Sequence, residues 1–178
     1  MKIKYLGTAA AEGVPAMFCK CESCENIRRL GKGEFRTRTQ ILIDGELSVD
    51  FPPEAYSNSL KYGFNLADLK YVLVTHSHMD HFYAHDFILR GYRYASGFSS
   101  PLHIYGNAEV AAVFAECTRR EMKPSVSPNV VMHTLKPYES YDIGGYQLLT
   151  LPANHGNTED ALLFYIRNSG AGYLHMHD

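Results

Sequence analysis

Thr75-His76-Ser77-His78-Met79-Asp80-His81 is the stretch whose reading decides the fold. It follows Tyr71-Val72-Leu73-Val74, an apolar run that reads as a short buried strand. Three histidines and a carboxylate therefore sit in the loop just past the carboxyl end of a strand. Neutral imidazoles and a carboxylate suit zinc, manganese or iron. The spacing lets His76 and His78 converge on one ion while Asp80 and His81 turn toward a second. Four ligand-type residues in the order H-x-H-x-D-H are more than a merely polar loop requires.

Outward from this loop, composition sets the bounds. The 178 residues suit a single domain, residues 1–178, with a sizeable core. Hydrophobic content of 46% and aromatic content of 12% indicate a globular chain, not a disordered one. No apolar run reaches membrane-spanning length, and the start alternates like a strand, so neither a membrane nor a signal peptide is expected and the cytoplasm is the expected location. A net charge of -2 without a basic run disfavours nucleic acid as a partner.

Cysteine usage adds a second candidate site. Cys19, Cys21 and Cys24 form a C-x-C-x-x-C cluster. In a chain without an export signal this spacing indicates thiolate metal ligands before disulfides. Cys117 stands alone at an apolar helix position and reads as core.

In order, a first strand runs from Met1 to Leu6, and a loop leads through Gly13-Val14-Pro15 to the cysteines. The basic segment from Asn26 to Gly31 reads as solvated. Thr39 to Ile43 and Leu47 to Asp50 form a hairpin about Asp44-Gly45. A helix follows from Pro53 to Tyr62. After His81 a helical pattern extends through Tyr94, with Tyr92, Tyr94 and Phe98 as candidate walls of a cleft. His85 reads as a surface or supporting residue. Leu102 to Tyr105 is a strand, and Asn107 caps a helix from Ala108 to about Glu121. Val130 to Leu135 and Tyr146 to Leu151 are strands, with a polar turn at Asp142 to Gly145. Ala161 to Ile166 and Tyr173 to Asp178 form a last hairpin about Asn168 to Gly172.

The H-x-H-x-D-H loop resembles the signature of the metallo-β-lactamase superfamily. That resemblance implies a mixed α/β fold, a four-layer αβ/βα sandwich with two metals at the edge of its sheets. Asp50, before Phe51-Pro52-Pro53, matches the superfamily's first motif, an aspartate that braces the metal loop; it also suits a helix N-cap. Asp86 is a second such brace or a cap. His155, after the strand ending at Leu151, resembles the lone histidine that completes the first metal's ligand set. Asp178, at the end of the last strand, resembles the aspartate that bridges both metals. The expected ligands are thus His76, His78 and His155 for one divalent ion, Asp80 and His81 for the other, and Asp178 between them. Zinc or manganese is the expected metal, and Asp80 is the candidate for steering the nucleophile's proton.

Gly7-Thr8 through Gly13-Val14-Pro15 and the cysteines resemble the opening of a narrower branch. That branch holds the cyclic phosphodiesterases of phosphonate utilisation and the pyrroloquinoline-quinone biosynthesis protein B. It implies a structural zinc on Cys19, Cys21 and Cys24. Ala9, Ala10 and Ala11 depart from the glycine- and serine-rich residues usual there. Members are longer, with a final histidine ligand and the fourth ligand of the cysteine site in their later part. Against that pattern the chain reads as the amino-terminal portion of a longer protein, its last sheet edge open to self-association. The implied activity is hydrolysis of small, cyclic phosphodiesters by a hydroxide shared between two ions. A lactone or β-lactam hydrolase, a tRNA-end nuclease and a non-hydrolytic cofactor-biosynthesis protein are the alternatives.

Overall fold

Asp44 and Gly45 both take positive φ, 51° and 83°, the left-handed geometry that tight hairpins need. They join β2 (Gln40–Ile43) to β3 (Leu47–Val49), which pair antiparallel as expected. Ser169 and Gly170 do the same at 49° and 83° for the final hairpin. A computed structural model describes the chain at residues 1–93, 95–155 and 159–176.

Among the described residues ten strands form two sheets. The first has the order β1-β2-β3-β4-β5-β6, with β1 (Ile3–Gly7), β4 (Tyr71–Leu73), β5 (Leu102–Gly106) and β6 (Val130–Thr134) beside the hairpin. Strands β3 to β6 run parallel. The second is antiparallel, in the order β10-β9-β8-β7, from β7 (Ser140–Ile143), β8 (Tyr146–Pro152), β9 (Leu162–Asn168) and β10 (Ala171–His175).

The period-2 alternation of β2 divides two cores. Ile41 and Ile43 face the second sheet, packing with Val49, Leu73, Leu148, Leu162 and Phe164. Leu42 points the other way, with Val72, Ile104, Ala55 and Val110. That second core lies under α2 (Ala55–Tyr62) and α3 (Ala108–Thr118). A strand buried on both faces reads as a continuous apolar run, as Ile41–Ile43 of β2 do. The result is a mixed α/β fold with two facing sheets. Helix, sheet and sheet are the layers seen among the described residues; no helix there packs closely on the second sheet.

Four local readings change. The segment after His81 is a short 3₁₀ stretch, Ala84–Leu89, and not a helix running to residue 94. Gly91, at φ 81°, bends the chain there. Residue 94 itself lies outside the described residues. The basic segment is solvated as expected but lies within a helix, α1 (Glu22–Leu30), among whose residues only Cys24 is buried. Strand β7 takes in Asp142, and the turn narrows to Gly144–Gly145. Helix α3 stops at Thr118, whose hydroxyl donates to the Phe114 carbonyl at 2.7 Å. Its cap is as expected: the Asn107 side chain accepts from the Val110 amide at 2.8 Å.

Candidate metal centre

Strands β4 and β8 belong to different sheets, yet both end at the same edge of the molecule. The loop after β4 folds back at once. His81 and Phe82 amides donate to the His78 carbonyl at 2.9 and 2.8 Å. The Phe51 amide donates to the His81 carbonyl, and the Tyr83 amide to the Phe51 carbonyl, both at 2.7 Å. These backbone bonds hold the loop against the residues after β3.

Within it three ring nitrogens converge. His76 Nε2 lies 3.1 Å from His78 Nδ1, and His155 Nε2 lies 3.2 Å from the same atom. All three candidate ligand atoms fall within 4.8 Å of one another. An ion holding imidazoles at about 2.0–2.1 Å sets cis or tetrahedral nitrogens about 2.9–3.4 Å apart. The donor set and its spacing therefore fit a divalent metal. His76 is buried, while His78 is exposed to approach from solvent.

Hydrogen bonds select the tautomers. Asp50 is fully buried at φ 60°. Its Oδ1 accepts from the Thr75 amide at 2.9 Å and the Thr75 hydroxyl at 3.0 Å. Its Oδ2 accepts from His81 Nδ1 at 2.8 Å. With its proton committed to Asp50, the Thr75 hydroxyl accepts from His76 Nδ1 at 3.1 Å. Nε2 of both His76 and His81 is left unprotonated, as a metal ligand must be. Burial opposes the charge on Asp50, but the hydrogen bond and charge of His81, the charge of His175 and the Thr75 amide outweigh it and keep the carboxyl below its usual range. Burial first, then the neighbouring His81, His155 and His78, pushes His76 down to about 4 against the pull of Asp50, so the ring is neutral near pH 7. Asp50 does not cap α2, whose cap residue is Glu54.

Asp80 and His81 form the other half. Asp80 Oδ2 stands 3.4 Å from His81 Nε2. Asp50 fixes the Nδ1 side of the ring and so turns the Nε2 side toward Asp80. The aspartate expected to bridge, Asp178, lies outside the described residues. Asp86 lines a separate cavity with Phe51, Phe87, Arg90 and Phe98, and burial raises its carboxyl above the ordinary range. His85 is exposed on the surface.

Sequence reasoning missed Glu159. Both its oxygens accept from the Ser77 amide, at 3.1 and 3.0 Å, and Oε1 also from the Ser77 hydroxyl at 2.8 Å. Oε2 accepts from Asn107 Nδ2 at 2.7 Å. Burial alone would raise this carboxyl, yet Asn107, Ser77 and the nearby His76 hold it below the usual range.

The sulfurs of Cys19, Cys21 and Cys24 also lie within 4.8 Å of one another, and none is in a disulfide. Cys21 is the cap residue of α1 and Cys24 sits in its first turn. The Cys24 amide and the thiols of Cys19 and Cys24 favour the Cys21 thiolate, lowering it from its usual value. A helix start suits thiolates for the same reason. Cys117 packs against the core as expected.

A family model described as a β-lactamase superfamily domain matches residues 39–178. The chain belongs to the β-lactamase superfamily. Members of this superfamily are mostly metal-dependent hydrolases and typically bind divalent metals such as zinc. No curated protein sequence matches the chain. Among solved structures, the chain is similar to a new diphosphatase from the PhnP family, with a TM-score of 0.72 and 21% identity over 92% of this chain. It is similar to Zn(2+)-bound PqqB from Methylobacterium extorquens, at 0.69 and 21% over 96%. It is also similar to the short form of human tRNase Z, at 0.69 and 16% over 97%. The chain spans 61%, 60% and 66% of these three proteins. At such identities the likeness is one of fold. No helix among the described residues is long and apolar enough to cross a membrane.

Proposed function

We propose that this superfamily chain supplies the metal centre of a hydrolase acting on small phosphodiesters, cyclic ones included. The observation that carries the reading is the convergence of His76, His78 and His155 beside the Asp80–His81 pair. The three rings would hold one divalent ion, zinc or manganese, and Asp80 with His81 a second, with Asp178 as the proposed bridge. Bound ions would supply a nucleophile at neutral pH and offset charge on the phosphoryl oxygens.

The chain's own groups do the rest. Asp50 and Thr75 orient His76 and His81 and keep their protons on Nδ1. Asp80 is placed to take the proton of an attacking water and to hold it at a carboxylate oxygen. Cys19, Cys21 and Cys24 would hold a structural zinc at the start of α1. His76 and His155 line an open pocket of about 250 Å³ with Pro152, Asn154 and Met176, a size that suits a small substrate. The likeness to a diphosphatase supports a phosphorus substrate, and a net charge of -2 disfavours RNA. A non-hydrolytic role is the second reading, favoured by the likeness to PqqB.

Hydrolysis of an aryl phosphodiester with added manganese or zinc separates the two. The His78→Ala variant is expected to lose at least the 10–100-fold typical of lesser changes around a metal. A His78→Ala rate within about twofold of wild type would refute the metal mechanism.

A further inference from the structure

We infer that Glu159 is a positioning residue: it fixes the loop carrying His155 on the loop carrying His76 and His78, and so sets the affinity of the site those rings form. The inference rests on the reading of the three histidines as an ion site.

His155 and His78 lie 77 residues apart and belong to different sheets, so no local structure aligns them. The His155 loop is closed at its base, where the Ala153 amide donates to the Ala161 carbonyl and the Leu162 amide to the Thr75 carbonyl, both at 2.8 Å. Glu159 adds a further tie beyond that base. Its carboxylate grips the amide and hydroxyl of Ser77, the residue between two ligand histidines. The same carboxylate is held by Asn107, whose Nδ2 also donates to the Asp160 carbonyl at 3.0 Å. Asn107 is buried and its Oδ1 caps α3, so the anchor is a rigid one. All these partners direct hydrogens at the carboxylate, which needs acceptors on both oxygens. A carboxamide offers one, and its amino group would face the Asn107 or Ser77 donor. Both oxygens of Glu159 are taken up by the Ser77 and Asn107 donors, so it acts through the ligands and not as one.

The test is Co²⁺ binding to the metal-stripped protein, measured by chelator competition. Sulfur-to-cobalt absorption reports the cysteine cluster separately from the histidines. Glu159→Gln is expected to weaken the histidine site 10–100-fold, the range for residues that hold a ligand in place. In a His155→Ala background the same change is expected to cost under about threefold, because its target is gone. A general loss of packing would instead add equally in both backgrounds. Should Glu159→Gln prove poorly folded, Ser77→Ala removes the hydroxyl contact alone and is expected to weaken the site in the same His155-dependent way. Wild-type binding with an indifferent Glu159→Gln, or equal losses in the two backgrounds, overturns this inference alone. A wild-type protein whose histidines bind no ion overturns the reading beneath it as well.

Discussion

Asp50→Asn is a change of one atom that is expected to disable one ion site and spare the other. The carboxylate accepts from Thr75 through Oδ1 and from His81 through Oδ2. The substituted amide keeps its oxygen toward the two Thr75 donors and turns its amino group toward His81 Nδ1. Two donors then face each other in a fully buried place, which costs about 1–3 kcal/mol if nothing moves. His81 escapes by carrying its proton on Nε2 and accepting at Nδ1. That proton sits on the atom 3.4 Å from Asp80 that would bind the second ion. Loss of the correct tautomer is expected to weaken that ion at least 10–100-fold, or about 1.4–2.7 kcal/mol. His76 keeps its Thr75 bond, so the first ion should weaken less than about tenfold. The backbone does not confound the result, because asparagine tolerates the φ of 60° found at this position. Calorimetric titration of metal-stripped protein with Mn²⁺, which thiolates do not favour, reads the two steps apart. Unchanged affinities, or equal losses in both steps, would refute the tautomer argument.

Two further outcomes are expected. Cys21→Ser should remove zinc from the cysteine cluster, so elemental analysis should show a lower zinc stoichiometry than wild type; an unchanged value counts against that site. The metal-stripped protein should lose stability in mild acid. His76 is held at about 4 when folded against 6.5 ordinarily, so the unfolded chain takes up the proton first. Its contribution is complete above pH 6.5 and declines as pH falls toward 4, a loss on the order of 3 kcal/mol in all. Urea unfolding at pH 7 and 5.5 should differ by about 1 kcal/mol from this group, and a His76→Gln variant that kept the full difference would rule out the assignment.

How far the sequence could be read depended on how local each signal was. The metal loop was legible because four side chains of one short segment carry its chemistry. The hairpin at Asp44-Gly45 and the Asn107 cap were legible for the same reason. Glu159 was not, since its partners lie 82 and 52 residues away and a lone glutamate in a polar loop looks solvated. Asp86 follows the loop closely in sequence, and the cavity its side chain lines depends on Phe51 and Phe98, which no local pattern ties to it. Strand β7 is half exposed at a sheet edge, and α1 buries one side chain, so neither shows a clear apolar period.

The placement of the three rings has a consequence for folding. Because His78 and His155 come from separate sheets 77 residues apart, an ion between them would act as a reversible cross-link across the two-sheet core. The unfolded chain, with those rings far apart, has no comparable site. Ion concentration would then enter the unfolding free energy directly, adding about 2.7 kcal/mol when the free ion stands at a hundred times its dissociation constant. Melting temperature would rise with the logarithm of available metal. A cell short of the ion would thus lose not only turnover but the protein itself, since the metal-free sheets would part more readily and meet proteases more often.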